Sequence, residues 1–310
     1  MKNLLAIVIP YYKIEFFEEC LDSLSRQTNK NLNVYIGDDC SPNDPAEIIN
    51  KYRGLLNLQY QRFPTNEGGT FLTKQWERCI ELTQDEEWIM LLGDDDLISE
   101  NLVEHFYGSL HEINAGNHNV IRANVTEIDE SGKTLRTFDY PKFEKPSTAY
   151  IKKITQDYHL SLPEFIFKRS TYKKYGFHHF PYAFGSDEIA WLEFCEGNTI
   201  FTLENSYCFM RLSQISISGS KQDLKHKVYA MYLTKKYIIK KLFFNFTKEE
   251  RILIISKAYK DLLYADSKLY AERLWFILKT APYLSLKKCC EIFLKGTAST
   301  LPAPPEEAKS

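Results

Sequence analysis

No Cys-x-x-Cys pair occurs in this 310-residue chain, and no histidine lies among its cysteines at zinc-ligand spacing. The common structural zinc sites are thereby excluded. The seven cysteines (Cys20, Cys40, Cys79, Cys195, Cys208, Cys289, Cys290) form an odd, scattered set. Such a set reads as reduced thiols, mostly filling a core, rather than as a disulfide framework. No uncharged stretch approaches the roughly 20 apolar residues of a bilayer-spanning helix. The apolar run after Met1-Lys2-Asn3 stops at Pro10, too soon for a secretory signal with its cleavage site. The expected location is the cytoplasm, with at most peripheral contact at the inner face of the plasma membrane. A basic excess is also missing: 39 Lys+Arg face 41 Asp+Glu, a formal net charge of −2, so nucleic acid is not an expected partner. His178-His179 is the single adjacent pair among seven histidines. Neighbouring side chains on an extended segment point apart, so no zinc centre is read there.

Hydrophobic residues make up 44% and charged residues 26%, enough for a substantial core and too apolar for global disorder. The near-zero total charge hides a segregation. Residues 1–220 carry −11, whereas residues 221–300 carry +10. A split of this size between two parts of one chain points to two tasks.

Along the chain, Leu4 to Ile9 is a continuous apolar run, as expected of a strand covered on both faces. Leu32–Ile36, Leu58–Phe63 and Trp88–Leu92 read as three more strands. Helical patterns separate them at Phe16–Gln27, roughly 46–53 and about 71–82. This alternation predicts a doubly wound, mostly parallel α/β sheet. Ligands bind such sheets at the carboxyl ends of the strands. Here those ends carry Pro10-Tyr11-Tyr12, Asp38-Asp39 and Asp94-Asp95-Asp96. From about 120 to 220 the pattern is mixed. Val120–Val125 and Phe165–Phe167 read as strands, 129–133 as a hairpin turn and Ile189–Phe194 as helix. Beyond 222 helical patterns take over, at about 223–245, 247–263 and 265–280, with a fourth at Lys287–Leu294. Residues 300–310, rich in proline, read as a disordered tail.

Three adjacent carboxylates repel, and a fold keeps them together mainly when a cation neutralises them. Hard oxygen ligands in small number suit Mg²⁺ or Mn²⁺ shared with substrate phosphates. The competing reading is a solvated acidic turn capping the next helix. Asp38-Asp39 suits a base N–H or a ribose, or else an Asx turn with Ser41. Asn66-Glu67-Gly68-Gly69 lets backbone approach a phosphate or sugar, although no P-loop lysine follows it. In Gly185-Ser186-Asp187-Glu188, Asp187 or Glu188 reads as a general base, or Ser186 or Asp187 as a helix N-cap. Arg211, before a serine-rich loop, suits a diphosphate or a plain linker.

Taken in order, Ile7-Val8-Ile9-Pro10-Tyr11-Tyr12, Leu21 to Thr28, Asp38 to Asp44, Asn66 to Gly69 and Leu92 to Asp96 resemble the family 2 glycosyltransferases of GT-A fold. The similarity covers about residues 4–218. It implies inverting transfer of a sugar from a nucleotide-sugar donor, usually a UDP-sugar, with Mn²⁺ or Mg²⁺. It implies a Rossmann-like nucleotide-sugar half (1–98) and a mixed acceptor half (99–220), followed by a basic amphipathic helical region (221–299). Residue by residue, Pro10 and Tyr12 match positions beside the donor base, and Asp39 matches the residue that holds uracil. Asn66, Gly68 and Lys74 fall in the donor-side turn and the helix after it. Asp94 matches a position towards the ribose. Asp95, with Asp96, falls to the metal. Asp187 matches the catalytic base and Arg211 a basic position beside the diphosphate. Three departures stand out. Gly93 occupies the usual first Asp of the acidic motif. The common Ala-Arg-Asn stretch is replaced by the region of Lys74, Trp76 and Arg78. Ser213 stands where a metal-binding His is often found.

The resemblance also suggests an acceptor: a saccharide, or an undecaprenyl-diphosphate-linked intermediate of a surface polysaccharide such as O-antigen or capsule. The basic helical region then has two readings. One lays its lysines and aromatics on an anionic membrane surface. The other packs the helices on the catalytic domain or on a second copy in a homodimer. Two competing functions remain. A nucleotidyltransferase would want a glycine-rich first turn, where Pro10-Tyr11-Tyr12-Lys13 stands. A non-catalytic sugar-nucleotide-binding protein would not need intact acidic clusters.

Overall fold

The computed structural model describes residues 4–213, 223–265 and 270–285. The fourth helical segment and the tail expected beyond 286 lie outside these residues. The first half runs β1 (Leu5–Tyr11), α1 (Phe17–Ser25), β2 (Leu32–Asp38), α2 (Ala46–Tyr52), β3 (Leu58–Arg62), α3 (Leu72–Glu81) and β4 (Trp88–Leu91). There follow β5 (Leu97–Ile98), α4 (Leu102–Ala115), β6 (Val120–Ile128), β7 (Thr134–Phe138), β8 (Phe143–Glu144), α5 (Pro146–Thr155), β9 (Phe165–Lys168), α6 (Arg169–Tyr175), α7 (Ser186–Phe194) and β10 (Ile200–Arg211). Three helices end the described chain: α8 (Leu224–Tyr237), α9 (Lys248–Ala265) and α10 (Tyr270–Thr280).

The strands form one sheet in the order β3-β2-β1-β4-β9-β6-β10-β5, with β7 on β6 and β8 on β10. β1 to β4 are parallel to one another, as the alternation predicts. β9 then enters antiparallel to both β4 and β6, so the sheet is mixed from its middle onwards. The period of two along β1 sorts its side chains into two layers. Leu5, Ile7 and Ile9 pack against Phe17, Leu21 and Leu24 of α1 and against Leu102 and Phe106 of α4. Ala6 and Val8 join Trp76 and Ile80 of α3 and Trp191 of α7 on the other face. Register fixes the site. Tyr11 lies opposite Asp38, and Val8 opposite Leu91, so the polar ends of β1, β2 and β4 open on one edge.

β10 shows how pattern reading falls short. Glu204-Asn205-Ser206 breaks its alternation in the sequence. In the fold the strand continues to Arg211 through an irregularity between Thr202 and Tyr207, where Asn205 takes a φ of 54°. A short αL excursion of this kind suits Asn. Arg211 therefore closes a strand rather than sitting in a loop.

The helical region does not form a separate core. Tyr232, Ile238, Ile254, Leu262 and Phe276 belong to the same buried cluster as Ala6, Val8 and Phe165. The first expected helix ends early, at Tyr237, and widens into an i→i+5 turn over Ile238–Leu242. Part of its positive charge is used internally. Lys235 and Asp261 form a buried ion pair at 2.9 Å, and Lys236 meets Glu272 at 2.6 Å. Among the described residues no helix is long and apolar enough to cross a membrane.

Removing one partner of the buried pair leaves the other charge uncompensated. Asp261→Ala should cost about 3–5 kcal/mol in urea unfolding, and Lys235→Met with Asp261→Leu should recover most of it. Loss of stability confined to a separate transition of the helices would show that they fold apart from the sheet.

Candidate functional site

Two adjacent carboxylates at the end of β2 have different fates. Asp38 is fully buried. It accepts the Ser41 N–H at 2.7 Å, the Tyr60 hydroxyl at 2.6 Å and an Arg62 N–H at 2.8 Å. These bonds hold the turn. Asp39, one residue on, is also buried but turns to the 66–69 turn. Its Oδ1 accepts the Glu67 N–H at 2.7 Å, and its Oδ2 accepts the Gly68 N–H at 2.9 Å. Arg78 also donates to Oδ1. Arg78 is held there by the Thr65 carbonyl at 2.9 Å and by the face of Phe63, 4.0 Å from its Cζ. Burial raises the pKa of Asp39, while the two amides and Arg78 oppose the rise. A carboxylate offers about four acceptor positions, so these three donors leave room for one more N–H. Asn66 closes the same turn by accepting the Gly69 N–H at 2.7 Å. Lys74 stays exposed, its ammonium 4.7 Å from the Phe71 ring.

At the end of β4 the three carboxylates diverge. Asp94 turns towards β1, and its Oδ2 accepts the N–H groups of Tyr12 and Lys13, both at 2.7 Å. Asp96 turns inward and accepts the Arg211 N–H at 3.1 Å. Asp95 is the least buried of the three. Burial and mutual repulsion push Asp94 up to about 7 and Asp96 well above the carboxylate range. Asp95 is raised by burial, with Lys13 and Arg211 opposing. A Cβ on Gly93 would meet Asp96 Oδ2 at 2.6 Å and Asp95 Oδ1 at 3.0 Å, so a side chain there would displace one of these carboxylates.

Arg211 directs four of its five guanidinium N–H groups inside the protein. It donates to the carbonyls of Asp95, Asp129 and Glu130 at 3.1 Å each and to Glu19 at 2.6 Å. Its Cζ lies 4.2 Å from the Phe16 ring centre. The guanidinium is wholly buried.

Asp187 sits in the first turn of α7 and accepts the Glu188 N–H at 2.9 Å. Burial and Glu188 push it up to about 7, and Lys153 of α5 pulls the other way. The loop before it is strained. Tyr182 and Ala183 take φ of 55° and 58°, and Gly185 takes 81°. Non-glycine residues in this region cost of order 1–3 kcal/mol each and cluster at functional sites. Two contacts hold the loop. The Thr73 hydroxyl of α3 meets His179 Nδ1 at 2.6 Å, and Thr234 of α8 donates to the Phe184 carbonyl at 3.2 Å. A Cβ on Gly185 would fall 2.1 Å from Thr234 Oγ1. Nearby, Glu164 is fully buried, neither carboxyl oxygen has a close partner, and burial pushes it up to about 8.

The sequence between Ala6 and Trp191 matches the family described as Glycosyl transferase family 2. The chain belongs to that family. It is 26% identical over 132 residues to the glycosyltransferase GlyG of Streptococcus pneumoniae, 42% of each chain. It is 31% identical over 103 residues to the poly(ribitol-phosphate) beta-N-acetylglucosaminyltransferase TarS of Staphylococcus aureus, 32% of this chain and 17% of TarS. The chain thus matches less than half the length of either relative. Among solved structures, TarS with UDP-GlcNAc superposes with a TM-score of 0.64 at 18% identity, covering 96% of this chain and 82% of that one. The mannosyltransferase PcManGT of Pyrobaculum calidifontis, with GDP-Man and Mn²⁺, gives 0.55 at 14% identity, covering 98% and 82%. At these identities the superpositions establish the GT-A fold.

Two of the expected residues are engaged inside the protein. Arg211 is held by Glu19 and three carbonyls. Asp96 is buried on the Arg211 N–H. Among the described residues no group of three His, Cys, Asp or Glu is disposed to hold a metal ion. An all-protein cage is not needed here. Mg²⁺ commonly sits on one or two carboxylates and takes its other ligands from phosphates and water. Asp95, half-open and hard, fits that arrangement. Sequence reading missed Arg78, Lys13, Lys153 and Glu164 as neighbours of the expected residues. Only Arg78 left a trace, four residues after Lys74 on one helix.

Two outcomes follow from this geometry. A carboxylate base works only when ionised, so with Asp187 as the base activity should rise with pH through its pKa, near 7. Lys153→Met removes the opposing charge and should move that acid limb to higher pH, read from kcat against pH; an unmoved limb would detach Lys153 from the base. Arg211→Ala orphans three carbonyls and should cost about 3 kcal/mol of stability, read by denaturant unfolding. A stable variant that had lost only donor affinity would restore Arg211 to the diphosphate.

Proposed function

We propose that this protein transfers a sugar from a UDP-sugar to a hydroxyl of a saccharide acceptor with inversion at the anomeric carbon. Family membership supports glycosyl transfer, and the UDP-GlcNAc bound to TarS motivates the choice of nucleotide. One observation carries the reading. Tyr12, Asp39 and Asp94 follow the paired ends of β1, β2 and β4 and are joined by backbone bonds, while the half-buried carboxylate of Asp187, raised to about 7, stands at the start of α7.

In this account the base lies by Pro10 and the exposed ring of Tyr12, and its N–H takes the remaining acceptor position of Asp39. Gly68 and Asn66 hold the turn on which the nucleotide rests. Asp94 fixes the β1 loop beneath the ribose. Asp95 would hold Mn²⁺ or Mg²⁺, which when bound supplies positive charge at the diphosphate. Lys13, whose charge already favours ionised Asp94 and Asp95, takes the part expected of Arg211 and faces the leaving group. Asp187 accepts the proton of the attacking hydroxyl. The new C–O bond forms as the bond to the β-phosphate oxygen breaks, and UDP leaves with the electron pair. A single displacement turns an α-linked donor into a β-linked product. The acceptor is a saccharide on a lipid diphosphate carrier in surface polysaccharide synthesis, met at the cytoplasmic face of the membrane.

Asp187→Asn should lower acceptor-dependent UDP release by about 10²–10⁴-fold while UDP binding, measured by calorimetry, is unchanged. The assay uses a panel of UDP-sugars with Mn²⁺. Near-normal turnover by the variant would remove Asp187 from the base role.

A further inference from the structure

The outward face of α10 is apolar. Tyr270, Leu274 and Leu278 are 66%, 53% and 68% exposed, and their four-residue spacing aligns them on one side of the helix. The acid of this helix is turned away from that face. Glu272 accepts the Tyr232 hydroxyl at 2.9 Å and pairs with Lys236. At the end of α10, Tyr283 packs edge-on against Phe243 with ring centres 4.9 Å apart. That contact sets the helix end beside the turn at 243–245, where Phe244 is 77% exposed. The Arg251 guanidinium covers Phe244 with its Cζ 4.6 Å from the ring centre. Lys240, Lys241 and Lys279 are exposed around these side chains. Glu249 is an exposed acid on the same stretch, whereas Glu250 is bound to the Thr247 N–H at 2.8 Å.

We propose that the face formed by Tyr270, Leu274, Leu278 and Phe244 docks this protein on an anionic lipid bilayer. Apolar side chains bordered by lysine and arginine suit the boundary between headgroups and acyl chains. The cations meet acidic headgroups. A second copy is a poorer occupant, because a two-fold contact would bring the same lysines against one another. The proposal rests on the reading that the acceptor is carried by a membrane, and it names the surface that would meet it.

The test uses the full chain and sedimentation with phosphatidylglycerol-containing or pure phosphatidylcholine vesicles. The wild type should bind the anionic vesicles, and high salt should weaken that binding. Leu274→Glu with Leu278→Glu lies on exposed positions and should keep the fold by circular dichroism. It should lower vesicle partition by about tenfold or more while UDP release onto a water-soluble acceptor stays as in the wild type. Equal partition of wild type and variant, or no preference for anionic vesicles, would overturn the proposal. A dimer that the substitutions convert to monomer in light scattering, without a change in partition, would assign the face to a second copy instead. A failure of sugar transfer would appear in the UDP-release assay, independently of the vesicles.

Discussion

Asp94, Asp95 and Asp96 resist being neighbours and resist burial, yet the end of β4 imposes both. Much of the site can be understood as the means of holding them. Asp94 is fixed by two amides of the β1 loop. Asp96 is fixed by the backbone of Arg211 at the end of β10. The Arg211 side chain then ties the Asp95 carbonyl to Glu19 on α1. The three carboxylates thus bind together β1, β4, β10 and α1. Only Asp95 is left with an opening. Raised pKa values at all three are the electrostatic record of that arrangement, and a cation with a donor diphosphate is the natural means of relieving it.

The same economy holds on the acceptor side. Asp187 is placed by a strained loop, and the loop is held from two directions, by α3 and by α8. The basic C-terminal helices are therefore not an appendage. They share the core of the sheet and support the segment that leads to Asp187. Part of the +10 charge seen in the sequence is consumed in internal pairs such as Lys235–Asp261. Lys240, Lys241 and Lys279 are exposed, as are Phe244, Leu274 and Leu278.

The parts legible in the sequence share one cause. Strands covered on both faces need uninterrupted apolar runs, so β1, β2 and β4 announce themselves, and their polar ends mark the cleft. Helix-spaced stripes place α1, α3 and the start of α8 within a few residues. What escaped depends on direction and on long-range pairing. No pattern shows that Asp96 turns inward while Asp95 does not. None shows that Arg211 meets Glu19, a residue 192 positions earlier. An arginine among serines resembles a phosphate ligand until its partners are known. β10 was hidden because three polar residues interrupt it, and the fold absorbs them in an irregularity. Arg78 escaped because its role exists only when α3 and the end of β2 are adjacent.

The central claim is that the edge formed by β1, β2 and β4 receives a nucleoside diphosphate, with Asp39 at the base and Asp95 at the phosphates. A crystal grown with UDP and Mn²⁺ tests it most directly. The predicted result is uracil beside Tyr12 and Asp39, the metal on Asp95, and Arg211 still paired with Glu19. UDP bound at another face, or Arg211 released from Glu19 to grip the diphosphate, would contradict it.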